Sequence, residues 1–155
     1  MTAPVVVHVR EEATLERLLE LLIEYERSLP QRLRHGSEPD LQSVRRTYAD
    51  PNAAFIASVD GIAAGCIVVT RLDERTAVVQ RLYVRPEYRR HGAARLLVLE
   101  ALDFARSRKD RRVVLDTDRD ALPAACRLYA SLGFTSCEPQ YPVAYDNATF
   151  MELRF

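Results

Sequence analysis

The stretch Gln80-Arg-Leu-Tyr-Val-Arg-Pro-Glu-Tyr-Arg-Arg-His-Gly-Ala-Ala-Arg95 carries the most chemistry per residue in the chain. An apolar strand pattern ends at Val84, Pro86 breaks it, and Arg89, Arg90 and His91 lead into Gly92, Ala93, Ala94 and Arg95 at the head of a helical pattern. The first N–H groups of a helix have no partner inside it, and the helix dipole adds partial positive charge there. Such a turn can hold an anion. Gly92 has no Cβ and lets a phosphate approach the backbone, while Ala94 is small enough for the helix to sit close to its strand. A loop glycine alone would look the same, but the flanking Arg89, Arg90 and His91 favour an anion site over residues 89–95. His91 and Arg95 are expected to offer backbone amides there, not side-chain chemistry.

Positioning this turn requires a strand before it and a helix after it, and the rest of the chain supplies their neighbours. Val5, Val7 and Val9 alternate with Val6, His8 and Arg10, a strand period. Leu15, Leu18, Leu19, Leu22 and Ile23 recur at helical spacing, with Thr14 as the expected N-cap and Leu29-Pro30 as the stop. A polar loop, Gln31 to Asp40, precedes a second helix from Leu41 to Tyr48, closed by Asp50-Pro51. Ala53–Val59 and Ile62–Thr70 flank Asp60-Gly61, a hairpin turn; a charged turn at Arg71–Arg75 then leads to a third run, Ala77–Val84. A long helix spans about Gly92 to Arg106, and Val113-Val114-Leu115 forms a short strand within Arg111–Thr117. Strand, crossover helix and strand make a parallel pair. A helix from Leu122 to Leu132 stops at Gly133, and Thr149–Phe155 alternates as the last strand. The order β-α-α-β-β-β-α-β-α-β-β describes one α/β domain over residues 1–155: a mixed, mostly antiparallel sheet with helices on both faces.

Composition narrows the partners. Lys+Arg and Asp+Glu are each 22, giving zero formal charge, which argues against a general nucleic-acid binder. No apolar run approaches the ~20 residues of a membrane span, and acids follow the first short apolar run, so that segment reads as a strand and not as a leader peptide. Cys66, Cys126 and Cys137 lack CxxC spacing. Buried free thiols in a reducing, cytoplasmic compartment are the expectation, with no metal site. Association as a homodimer is compatible with all of this.

Arg89-x-x-Gly92-x-Ala94 resembles the (Gln/Arg)-x-x-Gly-x-(Gly/Ala) motif of the GNAT superfamily of N-acetyltransferases. Two further blocks resemble the family in the right order. Leu82-Tyr83-Val84-Arg85-Pro86-Glu87 is similar to the strand that precedes the turn, and Ala125-x-x-Leu128-Tyr129-x-x-Leu132-Gly133-Phe134 to a later helix. Leu115-Asp116-Thr117 and Phe150-Met151-Glu152-Leu153 also look like small bacterial members. The likeness is good from Phe55 to Phe134 and rests on pattern alone in the first helices.

The resemblance implies acetyl-CoA as co-substrate, with its pyrophosphate on the Arg89–Arg95 turn and its pantetheine arm paired to the backbone of Leu82, Tyr83 and Val84. It implies transfer of the acetyl group to a primary amine, best read as that of a small molecule; a protein N-terminus or lysine is the alternative acceptor, and a non-catalytic acyl-CoA-binding module the second alternative. Tyr129 is implied as general acid for the departing thiolate, a role suited to a phenol of reference pKa ≈ 10; a plain core tyrosine is the competing reading. The base stays open. Gln80 stands where some relatives carry a glutamate, and glutamine accepts no proton. Asp116, Asp118 or water are the candidates, while Glu20 and Glu24 on the first helix are candidates for holding a cationic acceptor. Leu122 departs from an asparagine that many relatives place against the pantetheine. Direct attack is preferred to a cysteine-linked intermediate, since nothing basic stands near Cys126 or Cys137 in sequence.

Overall fold

The computed structural model describes residues 2–155. In chain order the elements are β1 (Val5–His8), α1 (Glu12–Ser28), α2 (Leu41–Thr47), β2 (Ala53–Val59), β3 (Ile62–Asp73), β4 (Thr76–Val84), α3 (Ala93–Ser107), β5 (Arg112–Thr117), α4 (Pro123–Ser131), β6 (Thr135–Cys137) and β7 (Thr149–Arg154). This is the predicted order. The seven strands form one sheet, β1-β2-β3-β4-β5-β7-β6, antiparallel except where β4 meets β5.

Boundaries differ in two informative places. Helix α1 starts earlier than its apolar stripe suggests: extended Glu11 is the N-cap and makes no side-chain cap bond. Thr14 therefore lies inside the first turn, its hydroxyl donating to the Glu11 carbonyl at 2.8 Å. The β3–β4 hairpin also runs past the predicted charged turn. Arg71 pairs with Ala77 and Asp73 with Thr76, and the Asp73 carboxylate accepts the Arg75 N–H at 2.8 Å to close a tighter turn. Charged residues mimic a loop here because they fill the end of a strand, where Arg71 grips the fully buried side chain of Asp110.

Helices cover both faces, and each face has its own core. On one face Phe55, Ile67, Val69 and Val79 of the sheet meet Leu97 and Leu102 of α3; on the other Ile56, Cys66 and Val68 meet Leu18 and Leu21 of α1 and Val44 of α2. Strand alternation sorts β2, β3 and β4 between the two.

The feature that shapes the site is a ladder that stops. Strands β4 and β5 pair only over Thr76–Val78 and Arg112–Val114, although both continue. Opposite β3, Cys66 faces Tyr83 and Val68 faces Gln80, so Ile67 alone opposes Arg81 and Leu82. Such a bulge bends and twists its strand, and Arg81 takes the left-handed backbone, φ 54°, to make it. Strand β4 thereby leaves β5 and a gap opens between Gln80–Val84 and Asp116–Thr117. Gly65 permits this approach of the bent strand: a Cβ there would collide with the Tyr83 carbonyl oxygen.

Candidate active site

Three elements converge on the gap: the end of β4, the turn into α3, and α4. At the end of β4 the Arg85 N–H bonds the Ala64 carbonyl of β3 at 2.8 Å. Alternation along an antiparallel strand then turns the amide and carbonyl of Val84 to the opposite edge, into the gap. The Val84 carbonyl is taken there by Arg89 Nε at 2.9 Å, which leaves the Val84 N–H for a ligand. Leu82 borders the gap at the bulge and packs its side chain under α3. Tyr83, predicted to lend its backbone to the same edge, is turned away by the same alternation: its amide and carbonyl face β3, where it pairs with Cys66, and its buried side chain donates its hydroxyl to Glu24 at 3.3 Å on the α1 side.

Beyond Arg89 the chain makes a cradle of amides. Arg90 and Gly92 both take left-handed backbone, φ 67° and 84°, and Gly92 is the N-cap of α3. The N–H groups from Arg90 to Arg95 make no hydrogen bond to any of the described residues; the first backbone bond of the helix is Leu96 N–H to the Gly92 carbonyl at 3.1 Å. Nothing lies within 4 Å of where a Gly92 Cβ would stand. The cradle is open, rich in donors and flanked by the exposed Arg89, Arg90, His91 and Arg95. Ala93 is buried beneath it and half-buried Ala94 packs beside it, so the helix start is seated on the sheet. An unpaired run of this kind suits a pyrophosphate.

Helix α4 brings Tyr129 to the other side of the gap. Its ring is 6% exposed and lies 5.6 Å from that of Phe134. The hydroxyl makes no hydrogen bond to the described residues and keeps a small part of its surface accessible. Burial first, then the neighbouring Tyr25, Cys126 and Asp116, push the phenol above its ordinary value. The half-buried Cys126 thiol lies 3.7 Å from the Thr117 hydroxyl, with no base beside it among the described residues.

The carboxylates divide sharply. Buried Asp118 is committed to structure. It accepts from Arg32 at 2.7 Å and from the amides of Asp120 and Ala121 at 3.0 and 2.8 Å. The Arg32 guanidinium above all holds its carboxyl below the ordinary range, and these three contacts leave Asp118 a poor candidate for the base. Glu24 is likewise occupied by Arg85 at 2.6 Å, and Glu20 lies 4.0 Å from the same arginine. Asp116 is different. It stands two residues past the last β5 rung, level with Gln80 two residues past the last β4 rung. Its two oxygens accept from Tyr141 and Tyr145 at 2.7 and 2.8 Å, and it has no cationic partner among the described residues. Sequence patterning missed both tyrosines, because the segment between β6 and β7 has no periodicity. It also missed Gly65, although a glycine inside an apolar strand is itself a sign of close backbone approach.

Among the described residues no three His, Cys, Asp or Glu side chains gather as metal ligands, and no helix is long and apolar enough to cross a membrane.

Comparison with known proteins agrees with this geometry. The profile of the acetyltransferase (GNAT) family matches residues 15–134. An uncharacterised N-acetyltransferase of Schizosaccharomyces pombe is 34% identical over 119 residues, 75% of this chain and 72% of that protein. Among solved structures, an acetyltransferase of Streptococcus agalactiae superposes with TM-score 0.81 at 20% identity over the whole of both chains. YncA of Salmonella typhimurium, solved with its cofactor acetyl-CoA, gives TM-score 0.78 at 20% identity, covering 99% of this chain and 94% of its own. Both structural likenesses speak to the fold; the match over most of the sequence speaks to descent. The chain belongs to the GNAT family of acetyltransferases.

Proposed function

We propose that this enzyme transfers the acetyl group of acetyl-CoA to the primary amine of a small molecule, by direct attack on the thioester. The observation that carries the reading is the gap itself. Six unbonded amides stand at its mouth, a free strand edge lines one wall, and α4 beside β5 carries a phenol whose hydroxyl has no partner among the described residues. The residues present fit the co-substrate: the Arg90–Arg95 amides would hold the pyrophosphate, and the Val84 N–H would pair with the pantetheine arm as an added strand does. Acetyl-CoA supplies an acyl group already activated for transfer.

The chain's own groups do the rest. The amides of Val84 and of Leu82 at the bulge polarise the acyl carbonyl, a fixed-dipole contribution that water reproduces poorly. Tyr129, neutral at any working pH because burial raises its phenol, donates its proton to the leaving thiolate. Asp116 attracts the incoming ammonium beside Gln80, and the proton lost before attack passes to solvent, since Gln80 cannot take it. Asp116 faces away from the α3 core, as Val114 does, because Val113 and Leu115 fill that core or its edge.

The test is release of free thiol from acetyl-CoA in the presence of a broad panel of primary amines, with acetylated products identified by mass. Turnover with at least one small amine, and none with unstructured peptides, is the expected result. Tight acetyl-CoA binding with no turnover on any amine or peptide would instead describe a binding module.

A further inference from the structure

Four arginines are half-buried in this fold: Arg71, Arg81, Arg85 and Arg112. Three grip carboxylates, Arg71 on Asp110, Arg85 on Glu24 and Arg112 on Glu152. Arg81 alone has no ion pair and no side-chain hydrogen bond to any of the described residues. A guanidinium keeps its charge at every working pH, and a partly desolvated one without a counter-charge is unfavourable unless a partner arrives. Its placement says where that partner would sit. Arg81 is the first residue of the β4 bulge, one position past Gln80 and the level of Asp116. Gln80 beside it opposes Val68 of the α1/α2 core, and the Arg81 carbonyl accepts the Cys66 thiol of that core at 3.6 Å; the Arg81 charge accordingly opposes the upward push of burial on Tyr25, Tyr48 and Cys66, all on that side. That face is the one Asp116 looks towards, and it is opposite the α3 face, so Arg81 belongs to the acceptor side of the gap. The hydroxyls of Tyr25 and Tyr48 also make no hydrogen bond to the described residues, and neither is sealed from solvent.

The acceptor side therefore presents a carboxylate without a cation, on β5, and a cation without a carboxylate, on β4. We infer that the acceptor is a small primary amine that also carries a carboxylate, an amino acid in the first instance, with its ammonium at Asp116 and its carboxylate at Arg81. Arg81 is the one half-buried guanidinium left without a carboxylate among the described residues, which matches a monoanion; Arg32 is spent on Asp118. A planar guanidinium also suits a carboxylate geometrically, giving two parallel hydrogen bonds. This inference rests on the acetyl-transfer reading of the gap and specifies what enters from the α1/α2 face.

Binding and turnover are measured separately, so that the two readings can fail separately. Matched pairs of an L-amino acid and its decarboxylated amine, such as leucine with 3-methylbutylamine, are titrated by ligand-observed NMR into the protein with CoA present. Wild type should bind amino acids at least tenfold more tightly than the matched amines. Arg81→Asn removes the charge with a residue that tolerates positive φ, and should erase that preference by weakening the amino acids while leaving the amines unchanged. Arg81→Lys should retain part of it. Equal binding of both members of a pair, or a preference that survives Arg81→Asn in a variant of wild-type thermal stability, would overturn the inference. If amino acids bind with the Arg81 dependence but release no thiol from acetyl-CoA, the binding inference stands and the transfer reading falls.

Discussion

The amide cradle makes a prediction in which one charge can be isolated. Gly92 adopts φ 84°, and a Cβ there meets nothing within 4 Å. Any side chain is strained by the backbone but not by neighbours, and Asn and Asp are the residues that tolerate such a backbone best. Gly92→Asn and Gly92→Asp should therefore destabilise the fold equally, by about 1 kcal/mol, or about 2–4 °C in Tm for a chain of this size. They differ by one negative charge placed where the pyrophosphate should lie. A carboxylate roughly 5 Å from about two phosphate charges costs about 1.7–3.3 kcal/mol for an effective dielectric of about 80 down to 40. That is a loss of roughly 15- to 250-fold in acetyl-CoA affinity for the Asp variant relative to the Asn variant. Isothermal calorimetry at low ionic strength reads the difference directly, and added salt should shrink it. If the two variants bind within twofold of each other, the pyrophosphate does not sit over Gly92 and the cradle is not the cofactor site.

Tyr129→Phe should lower kcat by about 10²–10⁴-fold and leave both acetyl-CoA affinity and Tm unchanged, because the hydroxyl bonds to none of the described residues. Since burial raises the phenol, its proton-bearing form persists as pH rises, and wild-type kcat should show no alkaline fall up to about pH 9.5; a fall near pH 8 that disappears in the Phe variant would contradict this. At sub-saturating acceptor the rate should climb with pH towards each amine's own pKa and shift down for less basic amines. One enzyme-owned pKa, common to all amines and abolished by Asp116→Asn, would make Asp116 the base instead. Gly65→Ala should cost about 1–3 kcal/mol as an overpacked site, and should also weaken acetyl-CoA binding, because relief of the collision with the Tyr83 carbonyl must move the end of β4; an unchanged Tm would show that the strand yields freely.

How much of this was legible in the sequence depended on whether a residue acts through local pattern or through distant pairing. Gly92, Arg89 and the helix after them could be read directly, because a broken strand, a basic turn and a small-residue helix start are contiguous. Element order and the parallel crossover followed from periodicity. The gap could not be read. It arises from a bulge of one residue, and nothing in Gln80-Arg81-Leu82 distinguishes a bulged strand from a regular one. The fate of the acids was equally hidden: Asp116 and Asp118 are two residues apart and alike in type, yet Arg32, 86 positions away, immobilises one, while the other is held by Tyr141 and Tyr145. Glu24, open to solvent on a helical wheel, is claimed by Arg85 from 61 positions away. Charge pairing over such separations leaves no trace in spacing.

The three-rung ladder between β4 and β5 has a consequence for how the protein behaves in a cell. A sheet ordinarily hides its unpaired backbone at two outer rims and guards those rims against other chains. Here two more rims lie within the sheet, along Gln80–Val84 and Asp116–Thr117. The cofactor proposed for the gap would act as the missing strand, and any ligand bound only by the folded state stabilises it in proportion to the logarithm of its concentration. On that reading the domain would be at its most cohesive when acetyl-CoA is plentiful, and its melting temperature would rise with acetyl-CoA concentration.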